Sequence, residues 1–475
     1  MRKALSLVAA LALAGCSFTP SYQRPPVPVP DAWPPLRAAA SLGEANKSLA
    51  IPGDWRSFFP DLRLQGLIAA ALEHNRDLRI SVARVDEARA LAGIARTERF
   101  PTLDIAAQRA ASLTPADLSA TGRPLNSQRY DVNLAVAAFE LDFWGRVKSL
   151  DDAGRANFLA SEYAQQAFRL SLIADVASAW FSVLELGERR DLAQATLKSR
   201  EETRMLVARR RDVGLAGDLD YLQADGAFQS ARAEIASLAR THAVAENALR
   251  LLVGAPPPMA GGGTLAQQDL VADVAVGLPA GLPSEVLLAR PDVMAAEQKL
   301  IAANANIGAA RAAFLPKIVL TAALGTASRG LSGLFDAGSG VWSFTPALRL
   351  PLFDAGRTSG NVDLATARKT VAVAEYEKAI QQAFREIADL LAARSQLAEQ
   401  LQAQEAGVAA QSRRLMIVDA RYKAGVSSHL ELLDAQREHF AAQQSALAVR
   451  RQWLSTAASF YKALGGGIAR QEPPM

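Results

Sequence analysis

The sequence predicts a mainly α protein with a small β part, built from one unit used twice. Three observations predict it. First, Gly145-Arg146 returns as Gly356-Arg357, Gly214 as Gly425, Leu219 as Leu430, Leu222 as Leu433 and Gly254 as Gly465, each 211 residues later. Self-similarity at one long offset marks a duplicated unit. Second, four short stretches alternate with period two, the signature of strands. Third, residues 146 to about 212 contain no proline, and apolar residues recur there at steps of four and three (Phe168, Leu172, Val176, Ala179, Val183, Leu186). That spacing over many turns argues for coiled-coil helix packing. Each unit therefore reads as strand, loop, strand, then a long helical hairpin.

The N-terminus comes first in the chain. Arg2 and Lys3 precede an apolar run from Ala4 to Ala14, 11 residues long. Such a run is too short to cross a bilayer as a helix. It reads as a signal peptide over 1–15. Leu13-Ala14-Gly15-Cys16 resembles the lipobox of bacterial lipoproteins, which predicts a covalent lipid on Cys16. Cys16 is the single cysteine of the 475 residues, so no intramolecular disulfide can form. Residues 16–60 carry Pro20, Pro25, Pro26, Pro28, Pro30, Pro34 and Pro35 and read as an extended tether.

The first repeat is expected over 61–254. Its pattern is helical from Asp61 to about Arg99, and Pro101 stops it. Strands are expected at about 102–111, where Leu103, Ile105 and Ala107 alternate with Thr102, Asp104, Ala106 and Gln108, and at 130–141, where Tyr130, Val132, Leu134 and Val136 face one way. A 67-residue helix then follows, roughly 100 Å long at the rise of an α-helix. The chain turns at Gly214 and a second helix runs back to Gly254. Residues 255–290 hold Pro256-Pro257-Pro258 and Gly261-Gly262-Gly263 and read as the linker between repeats. These glycines neither follow a strand nor open a helix, so they do not make a phosphate-binding loop. The second repeat is expected over 291–465, with strands at about 316–326 and 341–352, a turn at Gly425, and a C-terminal tail at 466–475. Pro346 suggests a bulge or a strand end.

Four strands cannot close a barrel across a membrane, for which about eight is the lower limit. Open edges facing lipid would leave backbone groups without partners. If these strands span, the chain must oligomerise, and three copies would supply twelve strands. Periodicity alone fits a closed helical bundle with no channel equally well. No later run is expected to reach the ~18 apolar residues of a transmembrane helix.

Composition excludes several classes. Removing residues 1–15 takes away Arg2 and Lys3 and no acid, so the formal charge falls from +4 to +2. Aromatics are 6% of residues and do not interleave with a basic stripe, so nucleic acid is not an expected partner. His74, His242, His429 and His439 lack metal-ligand spacing, and a zinc site lacks cysteines. No G-x-S-x-G elbow is present. No cofactor and no enzymatic activity are expected. His429 lies beside the second turn and reads as a surface residue.

Four motifs stand in order in the second repeat. They are Pro351-Leu352-Phe353-Asp354-Ala355-Gly356-Arg357, Ala420-Arg421-Tyr422-Lys423-Ala424-Gly425, Leu432-Leu433-Asp434-Ala435-Gln436-Arg437 and Tyr461-Lys462-Ala463-Leu464-Gly465-Gly466-Gly467. With the lipobox and the duplication, the chain resembles the outer membrane factor (TolC-like) family, in its OprM-type lipoprotein branch. The resemblance implies a homotrimer whose twelve strands form one outer-membrane β-barrel that continues into a periplasmic α-barrel. It implies that Ser17 suits sorting to the outer membrane, and that the N-terminal region, the linker and the C-terminus form a belt. It implies an efflux duct working with a periplasmic adaptor (membrane fusion protein) and an inner-membrane RND-type transporter. The adaptor would meet the tips at Val213, Gly214, Leu215 and Ala424, Gly425, Val426. A periplasmic gate would use Asp220, Asp419, Tyr422, Glu431 and Asp434. Arg421 could instead pair with Asp419. Leu219 and Ser427 stand where the TolC pattern has polar or basic gate partners. Alternatives remain open: the exit duct of a type I protein secretion system, or a lipid-anchored periplasmic coiled-coil adaptor without a pore.

Overall fold

Proline ends a helix and hands the chain to a strand in both repeats. Helix α3 (Arg76–Thr97) stops short of Pro101, and α6 (Pro291–Ala312) stops short of Pro316. Proline cannot extend a helix, because it lacks the N–H and its ring clashes with the preceding turn. The computed structural model describes residues 18–30, 54–256, 263–268 and 284–467. Cys16, most of the tether, parts of the linker and the end of the tail lie outside the described residues. The chain divides into two units, each made from three stretches of sequence.

The first unit comprises Met1–Pro26, Arg84–Glu162 and Ala295–Lys378. It holds a four-stranded antiparallel sheet in the order β1 (Asp104–Thr114), β2 (Leu125–Glu140), β3 (Lys317–Ser328) and β4 (Gly340–Arg349). The register puts Ile105, Leu134, Leu324 and Trp342 in one row across all four strands. Val136, Ala322 and Phe344 form another. Side chains alternate between faces along a strand, so these rows share one face. The reverse face carries Gln108 opposite Asp131, and Ala106 opposite Asn133. The apolar face is bare: Ile105 is 80% exposed and Trp342 is 75% exposed.

Pro346 sits inside β4, opposite Leu320, with the ladder continuous on both sides. This corrects the expectation of a break there. Strand β4 is an edge, and a proline is tolerated where its missing N–H points to the open side. The irregularity lies instead in β2, between Val136 and Phe139, where Ala138 has a φ of 54°.

Below the sheet, Glu140 accepts two hydrogen bonds from Arg146 at 2.7 and 2.6 Å and an ion pair from Lys317 at 2.8 Å. Trp144 Nε1 donates to the Pro316 carbonyl at 2.8 Å. The segment after residue 18 is strapped to α6. Arg24 grips Glu297 with two bonds, at 2.7 and 3.0 Å, and the Tyr22 hydroxyl adds a third at 3.1 Å. Asn304 Nδ2 donates to the Pro20 carbonyl at 2.7 Å, and Thr19 Oγ1 meets Ser149 Oγ at 3.0 Å. Gly308 lies under this strap, where a Cβ would come 2.8 Å from the Cα of Thr19.

The second unit comprises Val27–Ala83, Tyr163–Met294 and Ala379–Met475. Its core gathers Trp55, Phe58 and Phe59 of the segment around α1 (Trp55–Phe58), Leu64 and Ile68 of α2 (Leu62–His74), and Ile173, Val176 and Phe181 of α4 (Arg146–Asp212). Val253 of α5 (Asp218–Val253) and Leu454, Phe460 and Tyr461 of α8 (His429–Ala463) complete it. The rings of Phe58, Phe59 and Tyr461 pack with centroids 4.8 to 5.8 Å apart. Burial pushes the Tyr461 hydroxyl up to about 12. Arg290, with 6% of its side chain exposed, ties the Ala463 carbonyl to Asp292 and to Glu386 of α7 (Arg357–Lys423).

The helix expected from Asp61 to Arg99 is two helices. Asn75 divides them: its Oδ1 accepts from Leu78 N, and its Nδ2 donates to the Leu252 carbonyl. Gly254, at φ +72°, fits beside this break, since a Cβ would come 2.8 Å from the carbonyl carbon of His74. One stretch of α4 is long and apolar enough to pass for a membrane span, contrary to expectation, and 44% of it is buried inside the protein. Leu172, Ile173, Val176 and Phe181 of α4 belong to the core of the second unit.

Candidate functional site

Each long hairpin turns on a glycine in the left-handed region. Gly214 has φ +76° and Gly425 has φ +77°. Leu215 N donates to the Arg210 carbonyl at 2.7 Å, and Gly214 N to Arg211 at 2.9 Å. Val426 N donates to Arg421 at 2.9 Å, and Gly425 N to Tyr422 at 3.0 Å. Both turns thus satisfy two orphan carbonyls of the incoming helix by the paired bonds of a Schellman cap. Glycine suits the position because a Cβ would clash with the backbone there.

The tip residues Val213, Gly214, Leu215, Ala424, Gly425 and Val426 are all exposed. Val213, Leu215 and Val426 are large apolar side chains among them, and Leu219, Leu222 and Leu430 add three more. Beside these, Tyr422 is buried and packs with Val418, Leu432 and Ala435. The Arg210 guanidinium lies 5.2 Å from the centre of the Tyr422 ring, in cation–π range. The His429 ring also meets Tyr422, with centroids 5.8 Å apart. Asp220 lies near enough for its charge to act on His429. Residues of three long helices therefore meet at this end, Arg210 of α4, Tyr422 of α7 and His429 of α8, with Asp220 of α5 within reach of its charge.

His429 is 6% exposed, not a surface residue as its sequence context suggests. Neither ring nitrogen has a hydrogen-bond partner among the described residues. Burial pushes the imidazole below its ordinary value, and the Asp220 carboxylate opposes that in part.

Two of the remaining carboxylates have basic partners of their own. Asp419 pairs with Lys423 at 2.7 Å, one turn away, and not with Arg421. That contact raises the Lys423 ammonium above its ordinary value. Asp434 accepts from Arg414 at 2.6 Å and from Arg437 at 2.7 Å. Glu431 stands in the first turn of α8, where its N–H donates to the capping Ser428 Oγ at 3.2 Å. Carboxylates there are favoured by the helix dipole. Of the five expected gate residues, the geometry gathers Asp220 and Tyr422 around His429. Arg210 carried no sequence signal, because it stands in a run of three arginines at the end of α4. Among the described residues, no group of three or more His, Cys, Asp or Glu side chains forms a metal cage.

An open-edged sheet with one apolar and one polar face, joined to paired long hairpins, defines the protomer of a membrane channel with a helical extension. The chain belongs to the outer membrane efflux protein family, whose profile matches residues 67–255 and 282–466. It is 44% identical over 467 residues to the probable efflux pump outer membrane protein SepC of Pseudomonas putida, covering 98% of this chain and 96% of that one. It is 43% identical to the outer membrane protein OprJ of Pseudomonas aeruginosa, covering 97% and 95%. Its fold matches the open state of the Neisseria gonorrhoeae MtrE outer membrane channel with a TM-score of 0.83 at 38% identity, covering 96% of this chain and 99% of that one.

Proposed function

We propose that the chain is one third of a passive outer-membrane exit duct that serves an RND-type tripartite efflux pump. The row Ile105, Leu134, Leu324 and Trp342, bare on one face of a sheet with two open edges, carries this reading. Such a face suits lipid, and such edges suit closure with further copies. Each strand has 10 to 16 residues, enough for a tilted span. Three copies would close twelve strands into one barrel lined by Gln108, Asp131 and Asn133. A coiled-coil adaptor without a pore has no use for this sheet.

Conduction of this kind makes and breaks no bonds, so no cofactor is needed. The long hairpins would wall a wet passage, and Tyr422 with Asp220 would narrow it at the periplasmic end. Asp419, Glu431 and Asp434 would set the field around that aperture, where like charges on neighbouring copies concentrate cations. The exposed apolar tips would receive the adaptor. Residues 1–15 would be removed and Cys16 acylated. The 255–290 linker and the 466–475 tail would join the belt around the helices. The name of SepC, a probable efflux pump outer membrane protein, supports an efflux role over secretion.

Planar-bilayer recording of the purified, detergent-solubilised protein tests the proposal. The expected result is a heat-sensitive trimer whose conductance rises several-fold when Tyr422 is replaced by alanine. A monomer, or a trimer that stays silent with Tyr422→Ala, overturns it.

A further inference from the structure

His429 is an odd residue to bury. An imidazole normally satisfies at least one ring nitrogen, and here neither has a partner among the described residues. Its neighbours are the Tyr422 ring and, through Tyr422, the Arg210 guanidinium. The charged groups that face it are few. Asp220 of α5 acts on it by charge, Glu431 shares its own first turn of α8, and Arg210 of α4 lies against the Tyr422 ring. The N-terminus of α8 adds positive potential, which disfavours an imidazolium. The pocket therefore suits the neutral ring and resists the charged one.

We infer that His429 is a proton-operated release for the aperture: neutral, it packs against Tyr422 and holds the second tip closed; protonated, it leaves that packing and the tip opens. This rests on the reading of the tips as a gate, and the experiment separates the two. The sign follows from linkage. An unpacked imidazole has its ordinary value of 6.5, and burial holds the packed one lower. The packed tip thus binds fewer protons than the loosened one. Its advantage is complete above the ordinary value and is lost as pH falls through it toward the packed value. Asp220 sets the position of the transition, because its carboxylate favours the imidazolium. Three copies around one axis would titrate together and sharpen the response.

The test is the conductance of the full-length trimer in planar bilayers between about pH 7.5 and about pH 5, the range that histidine spans. A nitroxide on Val426→Cys reads the separation of the three tips in the same range. Wild type should conduct several-fold better at the acid end, with the tips farther apart. His429→Phe keeps a ring against Tyr422 and cannot titrate, so its conductance should not change with pH. His429→Gln serves the same purpose if the phenylalanine variant does not assemble. Asp220→Asn should enlarge the step and move it to higher pH, because the packed ring then resists the proton more strongly. A flat wild-type profile, or a step that survives in the His429 variant, overturns the inference. If Tyr422→Ala conducts at neutral pH while wild type shows no step, only the proton release is wrong. If Tyr422→Ala is silent at every pH, the duct reading itself has failed.

Discussion

The two hairpin tips share a backbone and differ in what packs over it. Both turn on a left-handed glycine with the same pair of capping bonds. Both bury a valine and an alanine at matched positions, Val207 and Ala224 in the first and Val418 and Ala435 in the second. Past that frame they part. In the first tip, Arg211 lies over the Tyr221 ring at 4.3 Å, and Leu222 is exposed where Leu433 of the second is half-buried. At the matched positions of the second stand Tyr422 and Leu432, both buried. Asp218 of the first corresponds to His429 of the second, and the uncapped Gly217 to the capping Ser428. The two copies keep the same turn, but the second is packed and the first is an open surface.

The largest test of this contrast is truncation at matched positions. Tyr422→Ala empties a buried ring site, a change that costs about 3–5 kcal/mol for aromatic residues in cores. Hydrogen exchange at the second tip should speed up accordingly. Arg211→Ala at the first tip removes an exposed cation–π contact and should cost under about 1 kcal/mol. Equal effects at the two tips would break the comparison. Next come the glycines: Gly214→Ala and Gly425→Ala should each cost roughly 1–2 kcal/mol, because both hold left-handed backbone. Here the two tips should agree, and exchange rates at Leu215 and Val426 would read it. Smaller again is Ser428→Ala, which removes a helix cap worth about 1 kcal/mol and should fray the start of α8 in exchange or proteolysis. The smallest is Gly217→Ser. Gly217 already has the extended backbone of a cap, so the added hydroxyl should protect the start of α5 by a few tenths of a kcal/mol.

Much of the fold was legible in the sequence because it rests on local rules. A stretch free of proline with a recurring apolar stripe marks α4, and its observed span is Arg146–Asp212. Alternation placed four strands, but missed that β2 starts at Leu125. Residues 125–129 are mostly polar and pair with the end of β1 beyond the apolar rows. Asn75 hid its helix break, because its partner is the Leu252 carbonyl, 177 residues away. Pro346 misled because only the sheet order reveals an edge strand. At the tips, Tyr422 and Asp220 were legible through motif resemblance. The burial of His429 was not, since a lone histidine beside a glycine turn has no pattern that announces what packs over it. Arg210 became meaningful only once α4 and α7 were seen side by side.

The strap over α6 also sets the length of a leash. Thr19, three residues after Cys16, is held to Ser149, one helical turn beyond the Arg146 that grips the end of β2. Three residues of extended chain reach about 10 Å. An acyl group on Cys16 would therefore be leashed within about 10 Å of Thr19, so the greasy moorings of a threefold assembly would ring the cylinder at one depth and level it in its leaflet.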